Sequence, residues 1–338
     1  MQTFAAIDLH SNNGVLTVID EKDRVLRQKK LPNRLDGFLA ELAPFRATLQ
    51  GVAVESTFNW YWLVDGLIDR SYPALLVNTA AIQQYKGLKH SDDDYDGWWL
   101  AHMMRLGILP TGYIYPREER AVRDLLRKRM TLVQQRTANI LSVQNLEQRN
   151  RGTKISSNEV KKLTVARVHE LYTNDDRALA ITTTMNVIHA LTEQINVLER
   201  TVLKKAKLHP EFEPLRTVWG IGEVLSLTIM YEAGSMDRFD AVGDFASYAR
   251  CVEAKRLSNG KKKADNNAKN GNKYLAWAFV EAARFAVRFY PEAKRYYDRK
   301  AAKTNTIVAT KAIAHKLARA SFFVLRDRTE FDPKRIFV

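Results

Sequence analysis

The sequence predicts an α/β domain followed by a mainly helical chain. Three short apolar segments, 3–9, 15–20 and 25–31, are separated by turn-forming residues, which indicates three strands joined as hairpins. Helix-like and strand-like segments then alternate over the rest of the first hundred residues. From about residue 118 to 207 there is no proline and only one glycine, Gly152, which favours long helices. A plain doubly wound sheet would not begin with consecutive hairpins, so the first domain has a ribonuclease-H-like layout.

The elements after the three hairpin strands follow from residue periodicity and turn residues. In chain order, we predict a helix at 35–45, a strand at 51–55, a helix at 59–70, a strand at 74–78 and a helix at 93–106.

The middle of the chain carries a coiled-coil pattern. Ile181, Ile188, Ile195 and Val202 recur at intervals of seven, with Leu191 and Leu198 in the companion positions. An earlier helical stretch contains Val122, Leu126 and Ile140, and the polar segment 150–158 between the two is the expected point of chain reversal. The pattern predicts a long helical hairpin that also pairs with another copy, although a helical bundle within one domain has the same periodicity.

Pro210 and Pro214 mark the next boundary, after which helices are predicted at 223–233, 274–290 and 304–326. The predicted organisation is therefore a catalytic domain at 1–117, a helical coiled-coil linker at 118–207 and a mainly helical domain at 208–338.

Four acidic residues stand out in the first domain. Asp8 closes the apolar run 4–7 and Glu55 closes the run 51–54, whereas Asp93 and Asp96 lie on one face at the start of a predicted helix. Clustered carboxylates repel one another unless a cation binds them, and hard oxygen ligands favour Mg²⁺ or Mn²⁺. Two-metal phosphoryl-transfer enzymes use such a set. Taken singly, each acid is better explained as an ordinary solvated turn residue, and only the joint pattern favours a metal site.

Charge is divided unevenly along the chain. The net charge is +15, but residues 1–112 carry net −2 and residues 250–338 carry net +14. A basic carboxy-terminal part indicates a polyanionic partner, for which nucleic acid is the first candidate, while a basic surface that aids solubility is the plainer alternative. No apolar stretch reaches the length of a membrane span, and the single cysteine, Cys251, excludes a disulfide framework. We therefore expect a cytoplasmic protein without a membrane partner.

Two features of the last domain are candidates for nucleic-acid contact. Gly220-Ile221-Gly222 precedes a helix and could present backbone N–H groups to a phosphate, although a tight packing turn uses the same residues. The segments 256–263 and 266–273 are rich in Gly, Asn and Lys, which predicts a loop along a sugar-phosphate backbone. The candidate contacts are Gly220, Gly222, Lys261, Lys262, Lys263, Lys269 and Lys273.

These motifs together resemble the DEDD-type transposases of bacterial insertion sequences of family 110, which are relatives of the Piv DNA invertases. Asp8 in Ala6-Ile7-Asp8, Glu55 in Val54-Glu55-Ser56-Thr57 and the Asp93-x-x-Asp96 pair match that family's four-acid, RuvC-like site. Further matches, in the same order as in the family, are Gly220-Ile221-Gly222, Arg238-Phe239 and Lys269-Asn270-Gly271-Asn272. The resemblance covers nearly the whole chain.

The resemblance implies a recombinase that cuts and rejoins DNA strands. It implies Mg²⁺ or Mn²⁺ held by Asp8, Glu55, Asp93 and Asp96, and a nucleophilic serine at Ser258 that forms a phosphoserine link to DNA. It also implies a structured guide RNA encoded by the element, target and donor DNA as partners, and a homo-oligomer. On residue type alone, a serine in such a loop is more often a turn residue.

Three other classes of protein fit parts of the pattern. A RuvC-like junction endonuclease would use water and need no serine. A sugar kinase or actin-like ATPase would need a second glycine-rich phosphate loop near mid-chain, and the sequence shows none. A non-catalytic nucleic-acid-binding protein fits the charge but gives no reason for the four acids.

Overall fold

A computed structural model describes residues 1–82, 93–207, 209–252, 255–258, 261–265 and 270–336, with the side chains of 93–94, 255–258, 261–265 and 335 left out. The chain forms two compact units, Met1–Ile114 and Tyr115–Val338. The predicted division into three domains at 117 and 207 stays a prediction.

The first unit is built on a five-stranded mixed sheet. Its elements are β1 (Thr3–Leu9), β2 (Asn13–Asp20), β3 (Val25–Pro32), α1 (Leu35–Leu42), β4 (Leu49–Glu55), α2 (Tyr61–Asp69), β5 (Ala74–Val77) and α3 (Asp93–Arg105). The strand order is β3-β2-β1-β4-β5. The first three strands are antiparallel neighbours, whereas β4 pairs in parallel with β1 and β5 with β4. The predicted ribonuclease-H-like layout is confirmed.

Helices cover both faces of this sheet, which explains why β1 is buried along its whole length. Successive side chains of a strand point to opposite faces. Accordingly, Ala5 and Ile7 pack in the core beneath α1 and α2, while Phe4 and Ala6 pack with Ala101 of α3.

The second unit is mainly helical. Its elements are α4 (Arg117–Arg151), α5 (Ser157–Lys162), α6 (Val165–Leu171), α7 (Asp175–Ala206), α8 (Phe212–Arg216), α9 (Glu223–Ala233), α10 (Val242–Tyr248), β6 (Lys255–Ser258), β7 (Lys261–Asp265), α11 (Lys273–Phe289), α12 (Pro291–Lys303) and α13 (Thr306–Asp327). In the part of the chain described by the structure, no helix is both long and apolar enough to cross a membrane.

The two long helices α4 and α7 pack against each other, as the coiled-coil pattern predicts. The heptad residues of α7, from Ile181 to Val202, are buried, and Val202 shares a core with Val122 and Leu126 of α4. The chain reversal differs from the prediction of a polar tip at 150–158. Two short helices, α5 and α6, lie between the long ones, and hydrogen bonds to Ser156 and Thr164 cap their N-termini.

Helix α9 is buried on nearly all sides, and α4, α7, α8 and α11 pack against it. Five elements here were not predicted: α8, α10, α12, β6 and β7. Helix α12 is polar and carries only one buried residue, Ala293, so its apolar stripe is too narrow to stand out in the sequence. The segment predicted as a phosphate-binding loop contains the antiparallel hairpin of β6 and β7.

Candidate active site

Asp8 and Glu55 leave the sheet at the same edge. Strand β1 pairs in parallel with β4, and Ile7 lies opposite Val54. Asp8 follows Ile7 and Glu55 follows Val54, so the two acids lie side by side on adjacent strands. The strand alternation places both on the face covered by α3, because Ala6 and Ala53 belong to that core. Asp8 is only 5% exposed. The structure therefore brings these two predicted site residues together.

The two carboxyl groups interact directly. Burial raises the pKa of Glu55 to about 8, together with a hydrogen bond to the Asp8 side chain and the negative charges of Asp8 and Asp96; a hydrogen bond from the Leu9 backbone opposes the rise only in part. Two carboxylates this close cannot both ionise without cost, so without a cation Glu55 keeps its proton to a higher pH than an ordinary glutamate. The surroundings of Glu55 therefore disfavour a further negative charge.

His10 adds a further group to this edge. Its Nε2 lies 3.0 Å from Oδ2 of Asp8, and its side chain is 38% exposed. The loop that carries it is fixed, since the side-chain amides of Asn33 and Asn59 both donate hydrogen bonds to the His10 carbonyl oxygen, at 3.0 and 3.1 Å. Sequence reasoning missed His10. The available signal was its spacing, because a residue two positions after Asp8 continues the same face of the strand.

Helix α3 supplies the second pair of acids. Asp93 is its first residue, and its side chain lies outside the described residues. Asp96 is close enough to Glu55 for its charge to raise the pKa of that carboxyl. Gly97 allows the helix to lie against the sheet, because a Cβ atom there would come within 2.7 Å of Oγ1 of Thr17 on β2. Three of the four predicted acids are thus observed in electrostatic contact.

The charge of this cluster fits a divalent cation, which would remove the repulsion that contributes to the raised pKa of Glu55. Carboxylate oxygens are the ligands that Mg²⁺ and Mn²⁺ prefer. Among the described side chains, however, no group of three or more His, Cys, Asp or Glu residues is arranged to hold one ion. The reason is that Glu55 is hydrogen-bonded to Asp8 and Asp8 contacts His10. These contacts direct the three side chains toward one another.

Ser258 lies at the end of β6, opposite Lys261 of β7. We expected Ser258 in an irregular loop, whereas it is the last residue of the first strand of a short hairpin. The residues that follow it, Asn259-Gly260, lie outside the described residues. Asn-Gly is a strong hairpin signal, and here it was interpreted as part of a phosphate-binding loop. The side chains of Ser258, Lys261, Lys262 and Lys263 and the whole of Lys269 also lie outside the described residues.

Comparison with known families decides the class of this protein. Residues 5–149 match a family model described as "Transposase", for the DEDD transposases of IS110. Residues 213–298 match a second model, described as "Transposase IS116/IS110/IS902 family". The two matched ranges together cover more than half of the 338 residues. The chain belongs to the IS110/IS116/IS902 family of transposases.

One curated relative comes from an insertion element of the same kind. It is the "Insertion element IS110 uncharacterized 43.6 kDa protein" of Streptomyces coelicolor, which is 25% identical to this chain over 146 residues. The aligned part covers 43% of this chain and spans only 36% of that relative. Transposases transfer phosphoryl groups in DNA, and the acidic edge formed by Asp8 and Glu55 lies inside the residues that match the DEDD model.

The candidate nucleic-acid contacts of this family member lie in different surroundings. Gly220 has φ +78°, and a Cβ atom there would lie 2.1 Å from the carbonyl oxygen of Ala282 on α11, so close helix packing accounts for this glycine. Gly222 caps α9 and is exposed, with no atom within 4 Å of the position of a Cβ. Lys273 is exposed at the start of α11, with its Nζ 5.1 Å from the centre of the Tyr274 ring. Their contact with nucleic acid stays a prediction.

Proposed function

We propose that this transposase mobilises an insertion sequence by cutting and rejoining DNA strands at the acidic edge of its first unit. The observation that carries the proposal is the direct interaction of Glu55 with Asp8 at the ends of adjacent parallel strands, within the range that matches the DEDD transposases. An excess of buried negative charge at the family's four-acid position has a clear purpose if the site binds divalent cations.

Asp8, Glu55, Asp93 and Asp96 would hold Mg²⁺ or Mn²⁺. When bound, the metal supplies positive charge to the attacking and leaving oxygens of the phosphodiester. The chain's own acids orient that charge, and the contact of His10 with Asp8 limits the positions that the Asp8 carboxylate can take.

Ser258 is the proposed nucleophile. Its Oγ attacks phosphorus and forms a phosphoserine ester, the bond from phosphorus to the 3′ oxygen breaks, the serine proton is released, and the leaving 3′ oxygen gains a proton. The ester conserves the bond energy, so the 3′-hydroxyl of another strand can reverse the step without ATP. This role for Ser258 comes from the family resemblance, and its position at the end of a short hairpin suits a residue that must reach a substrate.

The test of the chemistry is a covalent adduct. Protein purified from cells that carry the native flanks of the element, together with any RNA bound to it, is incubated with Mg²⁺ and DNA that is labelled at its 3′ end and carries the ends of the element, and the products are separated in SDS. A labelled protein–DNA adduct is expected for the native chain and is absent after Ser258→Ala, Asp8→Asn or addition of EDTA. Metal-dependent nicks without any adduct, unchanged by Ser258→Ala, would instead identify a RuvC-like endonuclease that uses water.

We further propose that a structured guide RNA encoded by the element selects target and donor DNA by base pairing. The net charge of +14 in residues 250–338 provides for polyanion binding without a sequence-reading motif. Protein purified from cells that carry the native flanks of the element should bring one defined RNA with it, and adduct formation should require that RNA. Recovery of only random cellular RNA would contradict this part of the proposal.

A homo-oligomer is the expected working form. Mixing Ser258→Ala protein with Asp8→Ala protein tests whether copies share active sites, because a mixed oligomer would contain one site with both intact groups. Recovered adduct formation in the mixture is expected, and a mixture as inactive as either variant alone would contradict sharing.

A further inference from the structure

Glu232 is a buried carboxylate that the proposed chemistry does not use. It is the residue before the last of α9 and is 1% exposed. A buried charge of this kind is costly unless it is paired and hydrogen-bonded, so its partners show what it holds in place.

The first partner comes from the long helix α4. Nε and Nη2 of Arg127 donate to the two carboxylate oxygens of Glu232 at 2.6 and 2.8 Å, which is a two-point ion pair of fixed orientation. The Arg127 guanidinium also lies 4.6 Å from the centre of the Tyr274 ring on α11. One arginine thus joins α4, α9 and the first turn of α11.

The second partner is Asn272, the residue that caps α11. Its Oδ1 accepts hydrogen bonds from the backbone N–H groups of Tyr274 and Leu275, at 2.8 and 3.2 Å. Its Nδ2 donates to Oε2 of Glu232 at 2.7 Å. Asparagine is required by this pattern, since an aspartate would cap the helix but could not donate to a carboxylate.

Asn272 also lies where the chain leaves and re-enters the helical unit on either side of β6 and β7, at residues 248–252 and 270–272, which we term the hairpin base; residues 253–254 and 266–269, between this base and the two strands, lie outside the described residues. The N–H of Asn272 donates to the carbonyl oxygen of Tyr248 at 2.6 Å, and the Arg250 guanidinium donates to the carbonyl oxygen of Gly271 at 2.8 Å. Gly271 has φ +81°, and a Cβ atom there would lie 2.5 Å from the Tyr248 carbonyl oxygen, so only glycine permits this approach. The two sides of the hairpin base are therefore fastened together.

We propose that Arg127, Glu232 and Asn272 form an anchor that sets the direction of the hairpin carrying Ser258, and that they are positioning residues for its attack. This inference rests on the proposed function, because it assigns the anchor a purpose through Ser258. The anchor ties the hairpin base to α4, the long helix that packs against α7. A displacement of about 1 Å at a reacting group is enough to slow a reaction by roughly 100-fold.

The anchor is tested by exchanging the hydrogen-bonding roles of two residues. Asn272→Asp brings a second carboxylate against Glu232 and removes the donor, so the rate of adduct formation should fall by about 100-fold. In the double variant Glu232→Gln with Asn272→Asp, the new amide can donate to the new carboxylate, and the negative charge beside Arg127 is kept. The double variant should recover at least about tenfold of that loss.

Glu199→Gln is the matched control. Glu199 of α7 forms an ion pair with Arg129 of α4, in which Nε of Arg129 lies 2.8 Å from Oε1 of Glu199, and in the part of the chain that the structure describes this pair makes no hydrogen bond or ion pair with Glu232 or with the hairpin base. This variant should keep its adduct rate within about twofold of the native rate. DNA affinity, measured by filter binding, should stay within about twofold for all variants, because a positioning role alters the rate of attack and not the binding of DNA.

The results separate the two proposals. If the native chain forms no adduct at all, the proposed function fails and the anchor loses its purpose. If the native chain forms an adduct that Ser258→Ala abolishes, but Asn272→Asp reacts at the native rate, the anchor proposal alone is overturned. Equal loss in the single and double variants, with the cooperative unfolding of both intact, would also overturn it.

Discussion

Asp23 and Arg105 form a two-point ion pair that joins the turn between β2 and β3 to the last turn of α3. Nε and Nη2 of Arg105 donate to the two Asp23 carboxylate oxygens, both at 2.6 Å. Nδ1 of His102 lies 2.8 Å from Oδ1 of Asp23, and Nε1 of Trp98 donates to the Asp23 carbonyl oxygen at 3.2 Å. These contacts hold the helix that carries Asp93 and Asp96 against the sheet. The geometry of the acidic edge therefore depends on a turn that is far from this helix in sequence.

Asp23→Asn should destabilise the protein by about 1–3 kcal/mol, because charged hydrogen bonds to His102 and Arg105 are lost. Burial raises the pKa of Asp23, but the hydrogen bonds from His102 and Arg105 outweigh it and lower the pKa overall. The stabilisation is therefore complete above the unfolded pKa of aspartate and disappears as the pH falls through the lower folded value. Urea unfolding at pH 7 and pH 3 measures this, and the native and variant curves should converge at the lower pH. An equal difference at both pH values would show that the carboxylate charge is not responsible.

Glu55→Gln should stabilise the metal-free protein and abolish adduct formation. The raised pKa of Glu55 means that its contribution to stability is complete below the unfolded pKa of glutamate and is lost as the pH rises toward about 8. In EDTA, the free energy of unfolding of the native chain should fall over this range, and the variant should show a smaller fall. A variant that is less stable than the native chain at pH 8 in EDTA would contradict strain from clustered negative charge. Mg²⁺ should stabilise the native chain and not the variant.

The sheet and two of its acids could be predicted because local sequence determines them. Apolar runs bounded by turn residues located β1 and β4, and Asp8 and Glu55 were found as the residues that close those runs. The contact between Asp8 and His10 follows the same alternation of faces, continued one residue past the end of β1 at Leu9. The role of Asp23 could not be predicted, since it depends on where α3 lies on the sheet, and its partner Arg105 is 82 residues later in the chain.

Prediction was weaker in the second unit, where composition was given more weight than local signals. The charge of the Lys-rich segment around Ser258 predicts a loop on a phosphate backbone, whereas its Asn259-Gly260 pair predicts a hairpin, which is the stronger signal. The capping box of Ser156 and Glu159 indicates the start of α5, although it lies at the segment 150–158 that polar composition predicts as the point of chain reversal. The partners of Glu232 could not be inferred from sequence, because Arg127 on α4 and Asn272 at the cap of α11 meet α9 only in the folded unit.

Gly220 and Gly222 should respond very differently to substitution by alanine. Gly220→Ala combines a positive φ with a Cβ that would overlap the Ala282 carbonyl oxygen, so it should cost about 3 kcal/mol or more. Gly222 has φ −90° and open space, so Gly222→Ala should cost less than about 1 kcal/mol. Urea denaturation of the two variants is the measurement. Similar losses of stability in both would show that α11 does not approach the Gly220 backbone so closely.

Cys251 offers a native probe of the hairpin base, since it is the only cysteine in the chain and follows Arg250 directly. Its N–H donates to the Ala246 carbonyl oxygen at 2.9 Å, and burial raises the pKa of its thiol to about 12. Because the thiolate is the reactive form, alkylation by iodoacetamide at pH 8 should be roughly a thousandfold slower than for an ordinary cysteine. Mass spectrometry of timed samples, native and in urea, measures the two rates, with Cys251→Ser as the unlabelled control.

Asn272→Asp should speed labelling of the native protein, because it loosens the base beside which Cys251 lies. Native labelling as fast as that in urea would mean that the thiol is exposed and that the base is not closed as described.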